Sequence, residues 1–217
     1  MRSSLIACWG FVWAFVSIAV AQVPMEQEPH HHLVFENAAL AVLEPTILAG
    51  ETTLEHLHSH DNATVCITGS NMQSQHPPAD WSASSQACSP GRINLEEYTG
   101  KPFSHAVRNA GAGVFHLVAV ENLRVSGWST NPPLSALATV LTKETRAFQI
   151  YDVKLDNSSQ ETSHVHRMPT IAVLVSGNAT AGKERLDQPG RWVLIPAGEP
   201  HKLSTPREAK LVEIEVR

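Results

Sequence analysis

Cysteine, tyrosine and positive charge are all scarce in this 217-residue chain. It holds 3 Cys, 2 Tyr and 16 Lys plus Arg, against 21 Asp plus Glu. The formal charge is −5 with histidine neutral, and Lys and Arg never form a run. A nucleic-acid binder would carry a basic face, so that class of partner is not expected. Aromatic residues make up 6% and charged residues 17%, while 42% are hydrophobic. These proportions fit a globular chain rather than a disordered or collagen-like one. Helical periodicity is nearly missing; only Leu134 to Leu141 reads as a helical turn or two. There is no phosphate-binding Gly-rich loop, no G-x-G-x-x-G, no H-E-x-x-H and no G-x-S-x-G.

The one long hydrophobic run opens the chain. Arg2 is followed by an apolar stretch from Leu5 to Val20, which ends in Ala19-Val20-Ala21 before Gln22. A positive start, an apolar middle and a small-x-small end make a secretory signal peptide over residues 1–21. The competing assignment is an uncleaved anchor, but the run is short for a membrane span and polar sequence follows at once. The mature protein is therefore expected to be exported, periplasmic or extracellular, and free of the membrane. Cys66 and Cys88 remain after cleavage. In an oxidising compartment they could form one disulfide; two separate buried thiols are the alternative. Asn62, Asn157 and Asn178 each begin an N-x-Ser/Thr sequon, which matters only in a eukaryotic source.

What the sequence has in excess is histidine, 12 residues, roughly twice ordinary usage. The placement of these histidines follows an internal repeat. At a constant offset of 108 residues, Glu36 falls on Glu144, Ala39 on Ala147, Val42 on Ile150, His56 on His164, His58 on His166 and Gly69 on Gly177. Pro90-Gly91-Arg92 likewise matches Pro189-Gly190-Arg191, and His105 corresponds to His201, now at a shorter offset. The first half thus carries an insertion, assigned to the polar loop His76 to Ser89. Runs such as LAVLEPTIL, ATVCITG, FQIYDVKL, TIAVLVSG and AKLVEIEV are short, rich in β-branched residues and bounded by Gly, Pro, Asn and Ser. They predict strands, and many short strands predict a sandwich or barrel. Arg124 to Pro133 reads as the linker between a first domain at 22–123 and a second at 134–217.

On a strand, residues i and i+2 share a face. His56-x-His58 and His164-x-His166 therefore each aim two imidazoles at one interior, where His105 or His201 could supply a third. Such a set suits Fe, Mn, Zn, Cu or Ni. A lone pair of this kind is more often a polar surface strand; two at matching places of a repeat are harder to dismiss. At these residues the chain resembles the cupin superfamily, in its two-domain, bicupin form. Gly50-ETTLE-His56-Leu57-His58 and Gly69 fit the family's first motif, as do His164-Val165-His166 and Gly177, with Ser158 in place of the leading glycine. Gly190-RWVLI-Pro196-Ala197-Gly198-EP-His201 fits the second motif, with Thr205 where Asn belongs; the first half matches it loosely through Gly91, Gly100, His105 and Asn109.

The resemblance implies an all-β protein of two tandem cupin-type jelly-roll barrels, packed as an intramolecular pseudo-dimer and open to homo-oligomerisation. It implies a divalent transition metal held by His164, His166 and His201, and a second or vestigial site at His56, His58 and His105. The cupin glutamate should stand four residues after the second His, but Asn62 and Thr170 occupy those places. Both sites are thus expected to be three-imidazole sets without a protein anion, which favours a small anionic ligand. Three-His cupins that bind iron and activate dioxygen exist. Metal binding is therefore the leading expectation, ranked above any named reaction; the reaction it could carry is that of an Fe-dependent dioxygenase-like enzyme acting on a small oxygenated molecule, with Met168 and Thr170 shaping its pocket. A non-catalytic metal- or small-molecule-binding cupin, or a structural double barrel without metal, are the alternatives. Asn62 cannot both face a barrel interior and carry a glycan. His30-His31-His32 is expected to be a flexible polar start, His116 a core or barrel-wall residue, and Glu96-Glu97 a solvated pair.

Overall fold

The short apolar runs become strands, and their alternation decides which residues face which layer. The computed structural model describes residues 22–124, 129–135, 138–156 and 162–217. The signal segment 1–21, parts of the linker and of Leu134–Leu141, and the Asn157-Ser158-Ser159 sequon with its Ser158 lie outside the described residues.

The first half contains β1 (Val23–Pro24), β2 (His31–Glu36), β3 (Leu40–Ile47), β4 (His56–His58), β5 (Asp61–Thr68), β6 (Asn71–Gln75), β7 (Ser85–Gln86), β8 (Ile93–Glu96), β9 (Phe103–Asn109) and β10 (Phe115–Asn122). The second contains β11 (Thr139–Glu144), β12 (Phe148–Leu155), β13 (His164–Val165), β14 (Thr170–Gly177), β15 (Ala179–Ala181), β16 (Glu184–Leu186), β17 (Trp192–Ile195), β18 (Pro200–His201), β19 (Leu203–Ser204) and β20 (Ala209–Val216). Residues 139–141, expected to be helical, belong instead to β11, where Val140 and Leu141 pair with Asp152 and Tyr151.

Each half has one large sheet of the same order, β2-β3-β10-β5-β8 in the first and β11-β12-β20-β14-β17 in the second. The opposite wall of the first half is the sheet β1-β4-β9-β6-β7; in the second it is split into β13-β18 and β16-β15-β19. Closing two sheets over one interior removes most exposed edges.

The two large sheets share one apolar layer. Val65, Val118 and Val120 of the first half and Ile150, Ile171, Val173, Val212 and Ile214 of the second lie in a single buried cluster. Alternate residues of the same strands turn the other way, into their own barrel: Ala119 beside Met25 and Leu43, and Leu174 and Leu211 beside Val153 and Leu203. Both faces of the central strands are covered, so they read as almost continuous apolar runs. Polar bonds also cross the layer. The Asn122 side-chain amide donates to Ala147 O (3.1 Å) and Arg217 O (2.9 Å), and Trp192 Nε1 donates to Glu44 Oε1 at 3.0 Å.

Gly69 and Gly177 end β5 and β14 for a steric reason. A Cβ on Gly69 would stand 1.9 Å from Cys88 O, and one on Gly177 would stand 2.0 Å from Glu208 O. Gly177 also has φ +80°, a conformation that costs a side-chain-bearing residue free energy. Cys66 and Cys88 form a disulfide that closes a loop of 22 residues onto β5. It joins the same strand that carries Asn62 into the barrel.

Candidate metal centres

The six histidines singled out from the sequence fall into two clusters, one in each barrel. His164, His166 and His201 come together with Glu213, their ligand atoms all within 4.8 Å of one another. His56, His58 and His105 form the second group on the same criterion.

In the second barrel, β13 pairs with β18 so that His164 stands directly opposite His201. The i, i+2 relation then brings His166 to the same face. The fourth member comes from elsewhere. Glu213 lies on β20, paired with Ala172 of β14, and is 0% exposed. Its Oε1 is 3.3 Å from His201 Nε2 and 4.0 Å from His164 Nε2, and its Oε2 is 3.3 Å from His166 Nε2. The expectation of a carboxylate-free site is therefore corrected for this barrel. Thr170 does stand at the motif position, but Glu213 supplies the anion from a neighbouring strand.

Each imidazole is fixed through its other nitrogen. His166 Nδ1 meets Glu215 Oε2 at 2.8 Å, His164 Nδ1 meets Thr162 O at 3.3 Å, and His201 Nδ1 meets Glu199 O at 3.5 Å. This leaves the three Nε2 atoms turned toward Glu213. Burial alone would lower the His166 pKa; the Glu213 and Glu215 carboxylates outweigh it and raise it to about 9. Burial likewise works to raise Glu213, but the surrounding imidazoles hold it at about 2. The set therefore keeps its negative charge in a buried place. His166 Nε2 and Glu213 Oε2 have no aligned hydrogen-bond partner among the described residues. These two solvent-excluded atoms form an ion pair at 3.3 Å without hydrogen-bond alignment, a spacing at which both could hold one cation. Carboxylate and backbone carbonyl partners on the second nitrogens are the usual support for metal-bound imidazoles.

In the first barrel, β4 pairs with β9 so that His56 lies opposite His105. His58 Nε2 and His105 Nε2 are 3.0 Å apart, and His56 Nδ1 meets Leu54 O at 2.9 Å. Burial lowers all three imidazoles, His56 to about 4, His58 to about 3 and His105 to about 2. They are neutral near pH 7 and keep a lone pair to offer. His56 Nε2 has no hydrogen-bond partner among the described residues. The strand pairing explains the missing carboxylate. Ala119 pairs with Thr64 of β5 as Glu213 pairs with Ala172 of β14, and Thr64 and Ala172 are themselves one repeat apart. Alanine stands where the second barrel has its glutamate.

This first cluster faces a cavity of about 590 Å³, lined among others by His58, His105, Asn62, Tyr98, Lys101 and Phe103. Tyr98 and Phe103 stack with ring centroids 5.5 Å apart and an interplanar angle of 8°. The Tyr98–Lys101 turn is pinned from below. Asp61 Oδ1 accepts from the Thr99 amide at 2.7 Å, and Arg146 of the second barrel bonds both Asp61 and Thr99 O, the latter at 3.2 Å.

The other residues singled out in the sequence are placed as follows. Asn62 is 3% exposed and 3.4 Å from His58 Nδ1, so it faces the interior and its sequon is closed to a glycan. His31 is not part of a flexible start. It begins β2, is buried, and packs its ring at a tilt of 51° against that of His56, with centroids 4.5 Å apart. His76 has a partner, Ser104 O at 3.0 Å, and lines the cavity. Glu96 and Glu97 both stand at the edge of that cavity, Glu96 half-buried and Glu97 exposed to solvent as expected. His116 lies between the barrels, where a Cβ on Gly190 would come 2.9 Å from its ring. Glu213 and Glu215 were legible in principle. They alternate in an otherwise apolar run, LVEIEV, by the rule that picked out the His-x-His pairs.

No protein-family model matches the sequence, and no curated protein matches it. Solved structures do match. AerE from Microcystis aeruginosa superposes with a TM-score of 0.58 at 15% identity, covering 89% of this chain and 96% of that one. Salicylate 1,2-dioxygenase from Pseudaminobacter salicylatoxidans gives 0.60 at 9% identity, over 82% and 71%. A cupin 2 conserved barrel domain protein from Leptotrichia buccalis gives 0.55 at 8% identity, over 85% and 87%. At these identities the likeness is one of fold. With the jelly-roll sheets and the two histidine groups, it shows that the chain has the cupin fold.

Proposed function

We propose that the protein is an exported, metal-binding bicupin whose two barrels do different work. The second holds a divalent transition metal through His164, His166, His201 and Glu213. The first presents His58 and His105, with the fully buried His56 beside them, to the cavity where a small molecule binds. The observation that carries this reading is the second-barrel quartet. Four buried donor groups converge within 4.8 Å, and among the described residues His166 Nε2 and Glu213 Oε2 have no aligned hydrogen-bond partner. A purely structural barrel would gain more from apolar residues there, because burying a carboxylate without a cation or full hydrogen bonding is costly.

The contrast in access separates the two sites. A four-donor set closed by protein resembles a structural or tightly held metal, whereas three protein donors leave positions for water or substrate. The first site has three imidazoles, an adjoining cavity of about 590 Å³, a stacked aromatic wall and, at its edge, one ammonium, Lys101, with two carboxylates, Glu96 and Glu97. Its neutral imidazoles leave a cation's charge uncompensated, so an anionic or oxygen-rich ligand is favoured. When bound there, iron, manganese, zinc, copper or nickel would supply Lewis acidity or, for iron, dioxygen chemistry. Lys101 would draw the ligand's negative group, and Tyr98 and Phe103 would cover its apolar face and exclude water. The fold shared with a salicylate dioxygenase supports the finer reading of a dioxygenase-like enzyme acting on a small oxygenated molecule. Export is supported by the opening apolar segment and by the Cys66–Cys88 disulfide, which persists in an oxidising compartment.

The test is metal content by mass spectrometry on untagged mature protein, beside a His164→Ala/His166→Ala variant. About one equivalent of metal that disappears in the variant supports the second-barrel centre. No bound metal in the wild type, after reconstitution with each candidate ion, overturns it and leaves a metal-free binding or structural double barrel.

A further inference from the structure

Matching strand positions carry opposite chemistry inside the two barrels. In the second, Leu174 of β14 stands opposite Leu211 of β20, and Ala172 stands opposite Val193 of β17. Leu174, Leu211 and Val193 pack with Val153 and Leu203 and fill that barrel with apolar side chains. In the first, the matching pairs are Cys66 with Leu117 and Thr64 with Asn94. A half-cystine stands in place of a leucine, a hydroxyl in place of an alanine and an amide in place of a valine. These residues line a second cavity of about 200 Å³. It shares Thr64, Asn94, Phe115 and Leu117 with the cavity beside the histidines, so the two are adjoining chambers of one barrel.

The smaller chamber has a wall of one charge sign. The Cys66–Cys88 disulfide and Arg92 line it, and no acidic residue does. The main chain places Arg92. The Cys66 amide donates to Arg92 O at 2.9 Å, as the Leu174 amide donates to Arg191 O at 2.8 Å in the second barrel. Ile93 turns into the apolar layer between the barrels, so Arg92 falls on the same face as Asn94. The Arg92 guanidinium has no ion pair or hydrogen-bond partner among the described residues. Glu96 and Glu97 border the larger chamber only, and Glu96 Oε1 already accepts from Asn94 Nδ2 at 3.0 Å. A guanidinium without a counter-charge, at the end of a polar-walled cavity, presents the planar fork that matches a carboxylate. Strand β5 sets the reach. Asn62 lies 3.4 Å from His58 Nδ1, and from there to Cys66, level with Arg92, the strand runs about 13 Å.

We propose that the smaller chamber is the subsite for the carboxylate tail of an elongated ligand, anchored by Arg92, whose oxygen-bearing head reaches His58 and His105. This rests on the reading that the first barrel binds a small molecule, and it narrows that molecule to one with polar groups at both ends. It also gives the polar insertion His76 to Ser89 a function. The loop supplies His76 to the chamber at the head and Ala87 and Cys88 to the chamber at the tail, and the disulfide ties it to β5.

The test is isothermal titration calorimetry on the full mature protein loaded with cobalt(II). The probes are the linear dicarboxylates from malonate to sebacate, each beside the monocarboxylate of the same chain length. Affinity should peak among the longer diacids, and the best of them should bind about tenfold or more tightly than its monoacid, as expected for a charge-assisted hydrogen bond. Arg92→Gln should erase that advantage and leave the monoacid unchanged. Arg191→Gln, at the matching place of the filled barrel, should change neither. Both arginines are exposed, so neither substitution threatens folding. A diacid that binds no better than its monoacid overturns the subsite, and so does an advantage that survives Arg92→Gln. A cobalt-loaded wild type that binds no acid of either series contradicts the ligand-binding reading of the first barrel itself, a result distinguishable from the others.

Discussion

Glu213 and Ala119 stand at matching places in the two halves. Each lies on the central strand of its large sheet, β20 and β10, and each pairs with the same repeat position of its neighbour, Ala172 or Thr64. One side chain reaches the histidines and the other ends at Cβ. Two positions on, the halves agree again, with Glu215 opposite Thr170 and Glu121 opposite Asn62. The difference between the two sites is thus local, a single carboxylate kept or lost.

Glu213→Gln keeps the volume and removes the charge. Metal affinity of the second barrel should fall by more than about 100-fold, since a ligand is lost rather than an outer partner. The first barrel's affinity should not change. Chelator competition on the two variants Glu213→Gln and His105→Ala reads each site separately.

Removing metal should cost stability as well. A ligand present at a thousand times its Kd adds about 4 kcal/mol. In a chain of this size that is worth roughly 10 °C in Tm. Differential scanning calorimetry with and without a strong chelator should show a shift of that order. An unchanged Tm would mean that nothing was bound.

Most of the fold was readable from residues 40 to 216 because its strands are apolar, short and bounded by turn formers. The His-x-His pairs were readable for the same reason, as period 2 is local. Glu213 is not legible as a ligand because it stands outside the family motif, whose carboxylate position holds Thr170, and only the fold brings β20 up to His164 and His201 of β13 and β18. His31 was missed because three consecutive histidines look like polar excess. Only burial, set by the Glu28 contact and the neighbouring β3, shows that one of them turns inward.

Reducing the Cys66–Cys88 bridge should destabilise the first barrel. Its loop spans 22 residues, for which loop-closure entropy predicts about 3 kcal/mol. Cys66→Ser/Cys88→Ser should lower the unfolding free energy read from urea titration by about 3 kcal/mol, while metal binding at His164, His166 and His201 survives.

Glu121 provides a pH dependence away from both histidine clusters. It is 3% exposed, and burial, with Glu26 and Glu36 nearby, raises its pKa to about 7. His60 Nδ1, at 3.8 Å, is the facing basic group. Because the folded pKa lies above the unfolded one, the folded state holds the extra proton between about 4.5 and 7. This contribution to stability therefore falls as pH rises through that window, by about 3 kcal/mol in all. Glu121→Gln should remove that slope in urea titrations and be the more stable protein at pH 8.

Arg146 joins the second barrel to the turn that lines the first-barrel cavity. Arg146→Ala should speed hydrogen exchange at the Thr99 amide, which donates to Asp61. It should leave exchange in β14 and β20 unchanged, because those strands are held by the shared apolar layer.

The most direct test is anomalous diffraction from crystals of the wild-type protein grown with a transition metal, recorded on either side of its absorption edge. The account predicts a strong peak among His164, His166, His201 and Glu213, and a second beside His56, His58 and His105. A map with no peak at the Glu213 cluster would contradict it.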